Sequence, residues 1–158
     1  MFFGVFGKKN KGGSKDYGKK DESIFHKGIK FVAEKAKIQG YFPPVIVPKA
    51  IKIGAQIQQT FANAYAMGVP IAFGTDSGVS YHGDNAKEFG FMVEVGMPAS
   101  EAIQAATIVN AKVLERENDL GQIAPGFLAD IVASDANALE DISTLENITF
   151  VMKNGEVI

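Results

Sequence analysis

The chain has 158 residues, a hydrophobic content of 46%, a net charge of −2 and no cysteine. This hydrophobic content excludes wholesale disorder and is typical of a soluble globular domain. The lack of cysteine excludes a disulfide framework, a thiolate nucleophile and a cysteine-based metal site. No apolar run approaches the length of a membrane span, so we predict no membrane partner.

The charge is distributed unevenly along the chain. Residues 1–20 carry a net charge of +5, which leaves −7 on the remainder. Because this segment is also rich in glycine, residues 1–21 are predicted to form a basic, flexible tail. Its apolar start is too short for a signal peptide, which favours a cytoplasmic location. No aromatic-rich surface follows the lysines, so we predict no nucleic-acid partner.

Two helices are predicted in the first half of the chain. The first spans residues 22–38. Pro48 suits the first turn of the second helix, and Gly68 suits its C-terminal end. The apolar residues of the second helix recur on one face, as in an amphipathic helix. They are Ile53, Ile57, Phe61, Ala64 and Tyr65.

A short apolar run begins at Val69 and leads into an aspartate. The run is too brief for a helix, and its β-branched and aromatic residues favour a buried strand over residues 69–74. Asp76 follows almost at once. If the strand belongs to a (β/α)₈ barrel, a polar residue just past its carboxyl end lies on the face that carries the chemistry. An aspartate there can hold a divalent metal or take a proton from a bound water, whereas elsewhere it is a turn residue or a helix N-cap.

The loop 75–84 is rich in glycine, serine and aspartate and is predicted to form the rim of a site. A helix is predicted to follow, from about Asn85 to Val95. Two roles stay open for Asn85: it caps this helix, with Glu88 completing a loose capping box, or it contacts substrate. His82 precedes it and, from the residues alone, reads as an exposed loop histidine.

The C-terminal half is predicted to hold a helix and a small set of strands. Residues 98–115 form the helix, in two pieces broken near Thr107. Asp130 lies in a predicted strand, 128–132, where its carboxylate is expected to bond to backbone. Asn154 and Gly155 form a good signal for a two-residue hairpin.

These motifs, in this order, resemble the C-terminal third of metal-dependent amidohydrolases, in the imidazolonepropionase-like and prolidase-like branch. The resemblance spans residues 29–158. In that family, a Gly-Thr-Asp step like residues 74–76 ends the last barrel strand and places the aspartate that faces the metal centre. The most specific block is Leu120–Val132. The other matching blocks are Tyr41–Pro44, Pro48–Ala50, His82–Glu88, Gly96–Thr107, Asn110–Ala111, Leu114 and Phe150–Ile158.

The resemblance implies hydrolysis of a C–N bond in a small amide or dipeptide-like substrate. A divalent metal, zinc, would activate water in the complete enzyme, and Asp76 would be both a metal-facing and a catalytic residue. The family loop that corresponds to 75–84 lies over the substrate, so His82 and Asn85 are predicted to contact substrate. His82 is not predicted to bind the metal.

The other family ligands are missing from this chain. The family pattern has a His-x-His after the first strand, a Lys or Glu after the fourth, and single histidines after the fifth and sixth. This chain has two histidines, His26 and His82. Because zinc needs about three or four ligands, Asp76 alone cannot hold it usefully. The chain alone is therefore predicted to bind no metal and to be inactive.

The predicted fold class is α/β, a partial (β/α)₈ barrel with a few C-terminal strands. Residues 22–116 would hold the last βα unit and trailing helices, and residues 117–158 the strands of a small β-domain. A complete barrel takes about 250 residues, so a truncated or split reading frame is expected. The alternative is a non-catalytic remnant or split-enzyme subunit that acts by association with a partner chain.

Association is also expected from the surfaces that a missing barrel would leave. The strand 69–74 would have two bare edges, which favour pairing with another chain. Ile57, Phe61, Phe89 and Met92 are predicted to lack cover. The chain is therefore predicted to be a homo-oligomer or to need a missing N-terminal partner.

Overall fold

The computed structural model describes residues 45, 47–75 and 82–158 of the chain. The described residues up to Met67 belong to one compact unit, and those from Gly68 onward belong to another. The predicted tail 1–21, the predicted helix 22–38 and Asp76 lie outside the described residues.

The first unit contains helix α1, Val47–Ala66. Pro48 occupies its first turn, where a missing backbone N–H costs no hydrogen bond. Gly68 follows the helix with φ of +78°, the left-handed conformation that glycine adopts at helix C-termini. The predicted helix and both of its end signals are confirmed. Ile57 on its apolar face is 62% exposed, as predicted, whereas Phe61 is half-buried.

The second unit begins with an irregular segment, residues 68–75. The predicted strand over 69–74 is wrong in this structure, because a strand requires a hydrogen-bonded neighbour and the one described sheet lies elsewhere in the chain. Side chains along the segment still alternate. Ile71, Phe73 and Thr75 are half-buried, whereas Ala72 and Gly74 are exposed. The parallel strand of a partial barrel is therefore absent from the described residues.

Helical pieces follow in quick succession along the chain. After a single turn of 3₁₀-helix come α2, α3, a π-turn and α4, the last three forming one continuous helical stretch from Ala99 to Val113. Their bounds are His82–Asp84 (3₁₀), Lys87–Glu94 (α2), Ala99–Gln104 (α3), Ala105–Val109 (π) and Asn110–Val113 (α4). The helix was predicted to break near Thr107; the regular α-helical pattern is interrupted there, because Thr107 lies in the π-turn, but the helical stretch continues through it. The Thr107 side chain is buried and donates a hydrogen bond to the Ile103 carbonyl at 2.8 Å.

The core of this unit lies between helix α2, helix α3 and a second short 3₁₀-helix, Ile142–Glu146. Phe89 and Met92 on α2 are buried, together with Ile103 on α3 and Leu145 on the 3₁₀-helix. The prediction that Phe89 and Met92 lack cover is therefore wrong. Elements from much later in the chain supply the apolar surface that the sequence pattern around α2 does not reveal.

A three-stranded antiparallel sheet ends the chain. Its strands are β1, Ile131–Ser134, β2, Ile148–Lys153, and β3, Glu156–Val157, arranged in that order across the sheet. Asn154 and Gly155 connect β2 to β3 with φ of 51° and 83°. Positive φ at both central residues is the signature of a type I′ turn, so the hairpin prediction is confirmed.

Asp130 lies one residue before β1 and joins the sheet to the hairpin turn. Its carboxylate accepts the Asn154 backbone N–H at 2.8 Å and forms an ion pair with Lys153. The expected bond from its carboxylate to backbone is confirmed. The hydrogen bond from Lys153, followed by that from the Asn154 backbone, lowers the pKa of Asp130 below its usual value.

No helix of the described residues combines the length and the apolar character that crossing a membrane requires.

Candidate active site

The backbone of Phe73 is held by both ends of the π-turn. Its N–H donates to the Ala105 carbonyl at 3.2 Å, and its carbonyl accepts from Nδ2 of Asn110 at 2.9 Å. Ala105 is the first residue of the π-turn and Asn110 is the first residue after it. A neighbouring strand bonds to the N–H and C=O of one residue in the same way. A helix edge therefore provides Phe73 with the bonds that a strand neighbour would provide.

The side chain of Phe73 stacks on Phe89. The ring centroids are 4.4 Å apart and the ring planes meet at 29°. Phe89 is buried on α2, so this contact lies against the core of the unit. An aromatic pair of this kind contributes about 0.5–1.5 kcal/mol beyond the area that it buries. The stack ties helix α2 to the segment that leads into Asp76.

Asn85 bonds to the same segment, two residues further along. Its Nδ2 donates to Oγ1 of Thr75 at 3.3 Å. The prediction that Asn85 caps the following helix is wrong, because Ala86 is the N-cap and makes no side-chain capping bond. The Asn85 side chain is committed to Thr75, and its backbone carbonyl accepts the N–H of Glu88 at 3.2 Å. The predicted contact of Asn85 with substrate stays a prediction.

The other polar atom of the Asn85 side chain is a buried acceptor. Its Oδ1 is shielded from solvent and accepts no hydrogen bond from the residues that the structure describes. A buried acceptor without a donor costs about 1–3 kcal/mol. The site therefore offers an acceptor that a donor N–H or O–H group would satisfy.

Charged side chains surround the start of α2. Lys87 pairs with Asp84 at 2.7 Å, and both side chains are partly exposed, so the pair contributes only about 0–1 kcal/mol. Burial raises the pKa of Glu88 above its usual value. Desolvation makes the ionised form of Glu88 the costlier form, and its carboxylate is therefore easier to protonate than an exposed glutamate.

The side chains of two predicted site residues are not described. Asp76 lies outside the described residues, and of His82 only the backbone is described, at the start of the short 3₁₀-helix. Of the three predicted site residues, Asn85 is thus the one whose contacts are known. The roles of Asp76 and His82 stay predictions.

The described residues do not fit a metal centre. Within 47–75 and 82–158, no three histidine, aspartate or glutamate side chains come together as a group that could hold an ion. A catalytic metal requires about three protein ligands, so this part of the chain does not supply a complete set. Zinc in the complete enzyme stays a prediction.

The sequence predictions missed two residues of this region, Thr75 and Asn110. Both belong to the motifs that carry the family resemblance, but neither was assigned a role. Asn110 follows a run of small and apolar residues, Ala105–Val109, that is mostly buried. An amide side chain next to such a run needs a hydrogen-bond partner when it is buried. This position, next to a run of small and apolar residues, is the sequence feature that could have indicated a role for Asn110.

Comparison with known proteins identifies the same class of enzyme that the motifs indicate. The model of the amidohydrolase family matches residues 16–158. The structure of a Xaa-Pro dipeptidase with bound methionine is 52% identical, with a TM-score of 0.74, over 85% of this chain and 33% of that chain. The structure of a prolidase complexed with N-methylphosphonate-L-proline is 28% identical, with a TM-score of 0.72, over 82% of this chain and 32% of that chain.

A curated enzyme shows the same pattern of partial coverage. Ochratoxinase from Aspergillus niger is 32% identical over 148 residues, which cover 86% of this chain and 30% of the enzyme. The chain therefore spans about a third of the length of the relatives that it matches.

Proposed function

Because this chain belongs to the amidohydrolase family, we propose that it supplies the C-terminal part of an enzyme that hydrolyses a C–N bond in a small, dipeptide-like substrate. The observation that carries this proposal is the 52% identity to a Xaa-Pro dipeptidase across 85% of the chain. The match to a prolidase supports the same substrate class.

In this proposal, Asp76 takes a proton from the attacking water and passes it to the leaving nitrogen. An ionised aspartate can act as this base. Two bonds support the role, one from Asn110 to the Phe73 backbone and one from Asn85 to the Thr75 side chain, because they restrain the residues on both sides of Gly74, just before Asp76. Amidohydrolases are generally metal-dependent. Since the described residues form no ligand set, we assign no step to a metal.

Asn85 and His82 are proposed to contact the substrate. The support for Asn85 is its buried Oδ1, which lacks a donor among the described residues. An N–H group of a dipeptide is a suitable donor for this oxygen. The support for His82 is its place in the loop that resembles the substrate-covering loop of the family.

A chimeric enzyme tests the proposal. The matching C-terminal third of the related Xaa-Pro dipeptidase is replaced by this chain, and hydrolysis of Xaa-Pro dipeptides is measured with added zinc. We expect turnover that is lost almost completely in Asp76→Asn, because an amide cannot accept the proton.

Glu117→Gln is the matched control, since it also converts a carboxylate to an amide but at an exposed position. It should leave turnover unchanged. Equal turnover by the Asp76→Asn chimera and its parent would contradict the role of Asp76. A correctly folded chimera without any hydrolysis of amides would contradict the proposed function.

A further inference from the structure

We propose that Asn110 is a positioning residue, which fixes the backbone of Phe73 and thereby the Gly74-Thr75 step that leads into Asp76. The expected effect of Asn110 on catalysis rests on the proposed function, whereas its effect on the backbone of Phe73 does not. The bond that carries the inference joins residues 37 positions apart in the sequence, Nδ2 of Asn110 and the Phe73 carbonyl, at 2.9 Å. This length is that of a well-formed N–H···O bond.

The π-turn explains why one helix edge can reach both polar groups of Phe73. Residues five apart, such as Ala105 and Asn110, lie about 140° apart around a regular α-helix of 3.6 residues per turn. A π-turn closes i→i+5 bonds, and its wider turn brings such residues closer together around the helix axis. The carbonyl of Ala105 and the side chain of Asn110 then face the same neighbour. A regular α-helix at 105–109 would turn one of them away from Phe73.

The segment needs such support because the described sheet does not include it. Residues 69–75 are irregular, and the three described strands all lie between Ile131 and Val157. The amide of Asn110 therefore supplies, at Phe73, one of the hydrogen bonds that a neighbouring strand would supply. Displacing a reacting group by about 1 Å can cost about 100-fold in rate, so a loose Phe73 should impair the proposed base.

Asn110→Asp is the sharpest substitution, because it keeps the shape of the side chain and removes the donor. Asn118→Asp is the matched control, since Asn118 is exposed in the turn that follows α4. The first readout is hydrogen exchange in the full chain. We expect the peptide spanning 69–75 to exchange at least about 10-fold faster in Asn110→Asp. The β2 peptide, 148–153, should keep its exchange rate, and Asn118→Asp should change neither peptide.

A pH series separates the missing donor from general damage. Below its pKa, the introduced carboxyl carries a proton and can donate to the Phe73 carbonyl again. The protection of 69–75 in Asn110→Asp, relative to the parent chain, should therefore recover as the pH falls from 7 towards 4. Unchanged protection of 69–75 at neutral pH, or an equal loss of protection in 148–153, would overturn the inference.

The second readout is the kinetics of the dipeptidase chimera described above. We expect Asn110→Asp to lower kcat about 10- to 100-fold and to leave KM within about twofold, because the substitution displaces a reacting group and removes no substrate contact. A rise in KM with unchanged kcat would overturn the positioning role. Failure of the proposed function has a different signature, since the folded chimera would then hydrolyse no amide while exchange at 69–75 still responded to Asn110→Asp.

Discussion

Two neutral amide side chains hold the residues that precede Asp76. Asn110 donates to the carbonyl of Phe73, and Asn85 donates to the hydroxyl of Thr75. A lysine or arginine in either place would also donate, but its charge would lower the pKa of a nearby carboxyl. Amides restrain the backbone without that electrostatic effect. They are therefore suited to support a carboxylate that has to accept a proton.

Asp76→Asn should leave the stability of this chain almost unchanged. If the proposed base faces an incomplete site, it lies near solvent, where substitutions usually change the free energy of unfolding by less than about 0.5 kcal/mol. Urea unfolding of the two proteins tests this expectation. A loss of about 2 kcal/mol or more would identify Asp76 as a structural hydrogen-bond partner instead of a functional residue.

Asp130 should make the stability of the C-terminal sheet depend on pH. Its folded pKa is lowered by the bonds from Lys153 and the Asn154 backbone. Its stabilising contribution is therefore complete above the unfolded pKa, about 3.9, and is lost as the pH falls through the lower folded value.

Asp130→Asn is accordingly expected to lower Tm at pH 7, by an amount that shrinks as the pH approaches 3 and below. Thermal unfolding at several pH values measures the difference. Glu117→Gln, at an exposed position, should show no such trend. A Tm difference that is constant across the pH range would mean that the charge of Asp130 contributes nothing.

Among the elements, the π-turn is also a place where the loop after α4 packs closely. Gly121 has φ of +87°, and a Cβ added there would lie 2.8 Å from the Thr107 carbonyl oxygen and 3.0 Å from the Cβ of Ala111. The glycine thus lets the chain pass against the helix at the turn that also holds Phe73. Gly126 has nearly the same φ, +88°, but nothing lies within 4 Å of its added Cβ.

This pair of glycines separates backbone strain from packing. Gly126→Ala should cost about 1–2 kcal/mol, the strain of a left-handed alanine. Gly121→Ala should cost about 1–3 kcal/mol more, because the helix backbone cannot easily move away from the new methyl group. Urea unfolding of both variants measures the difference. Equal losses would show that the helix yields to the methyl group without cost.

At the scale of the molecule, the described residues include exposed apolar side chains and an open strand edge. Val113, Leu114, Ile123, Val157 and Ile158 are each more than half exposed. Among the described strands, β1 pairs on one side only, with β2, so its other edge is open.

We therefore predict that the purified chain associates with itself or with a partner that covers these surfaces. Light scattering after size-exclusion chromatography at micromolar concentration tests this directly. A stable monomer across the concentration range would contradict the prediction.

The purified chain alone should not hydrolyse amides or dipeptides. It has two histidines in its whole sequence, and its described residues form no group that could hold a metal. Assays of Xaa-Pro dipeptides and N-acyl amino acids, with and without added zinc, provide the test. Turnover that depends on zinc and is abolished by a chelator would contradict the prediction and would require ligands that we have not identified.

The sequence by itself determined the features that depend on neighbours along the chain. Helix α1 ends before Gly68, and the hairpin turns at Asn154 and Gly155, because the φ values required there favour these residues whatever surrounds them. The sequence also predicted an irregularity near Thr107, where a π-turn interrupts the regular α-helix. The family followed from motifs whose order along the chain is itself a sequence property.

The tertiary structure decided the features that depend on distant partners. The segment 69–74 has the composition of a strand but no neighbouring strand among the described residues, so Phe73 bonds to a helix instead. Asn85 can cap a helix, yet Thr75 is close enough to take its side chain. Phe89 is buried because Phe73 and the late 3₁₀-helix reach it. In each case a contact between residues far apart in the sequence outweighs a local conformational preference. Such contacts exist only in the folded chain, so the sequence pattern alone does not reveal them.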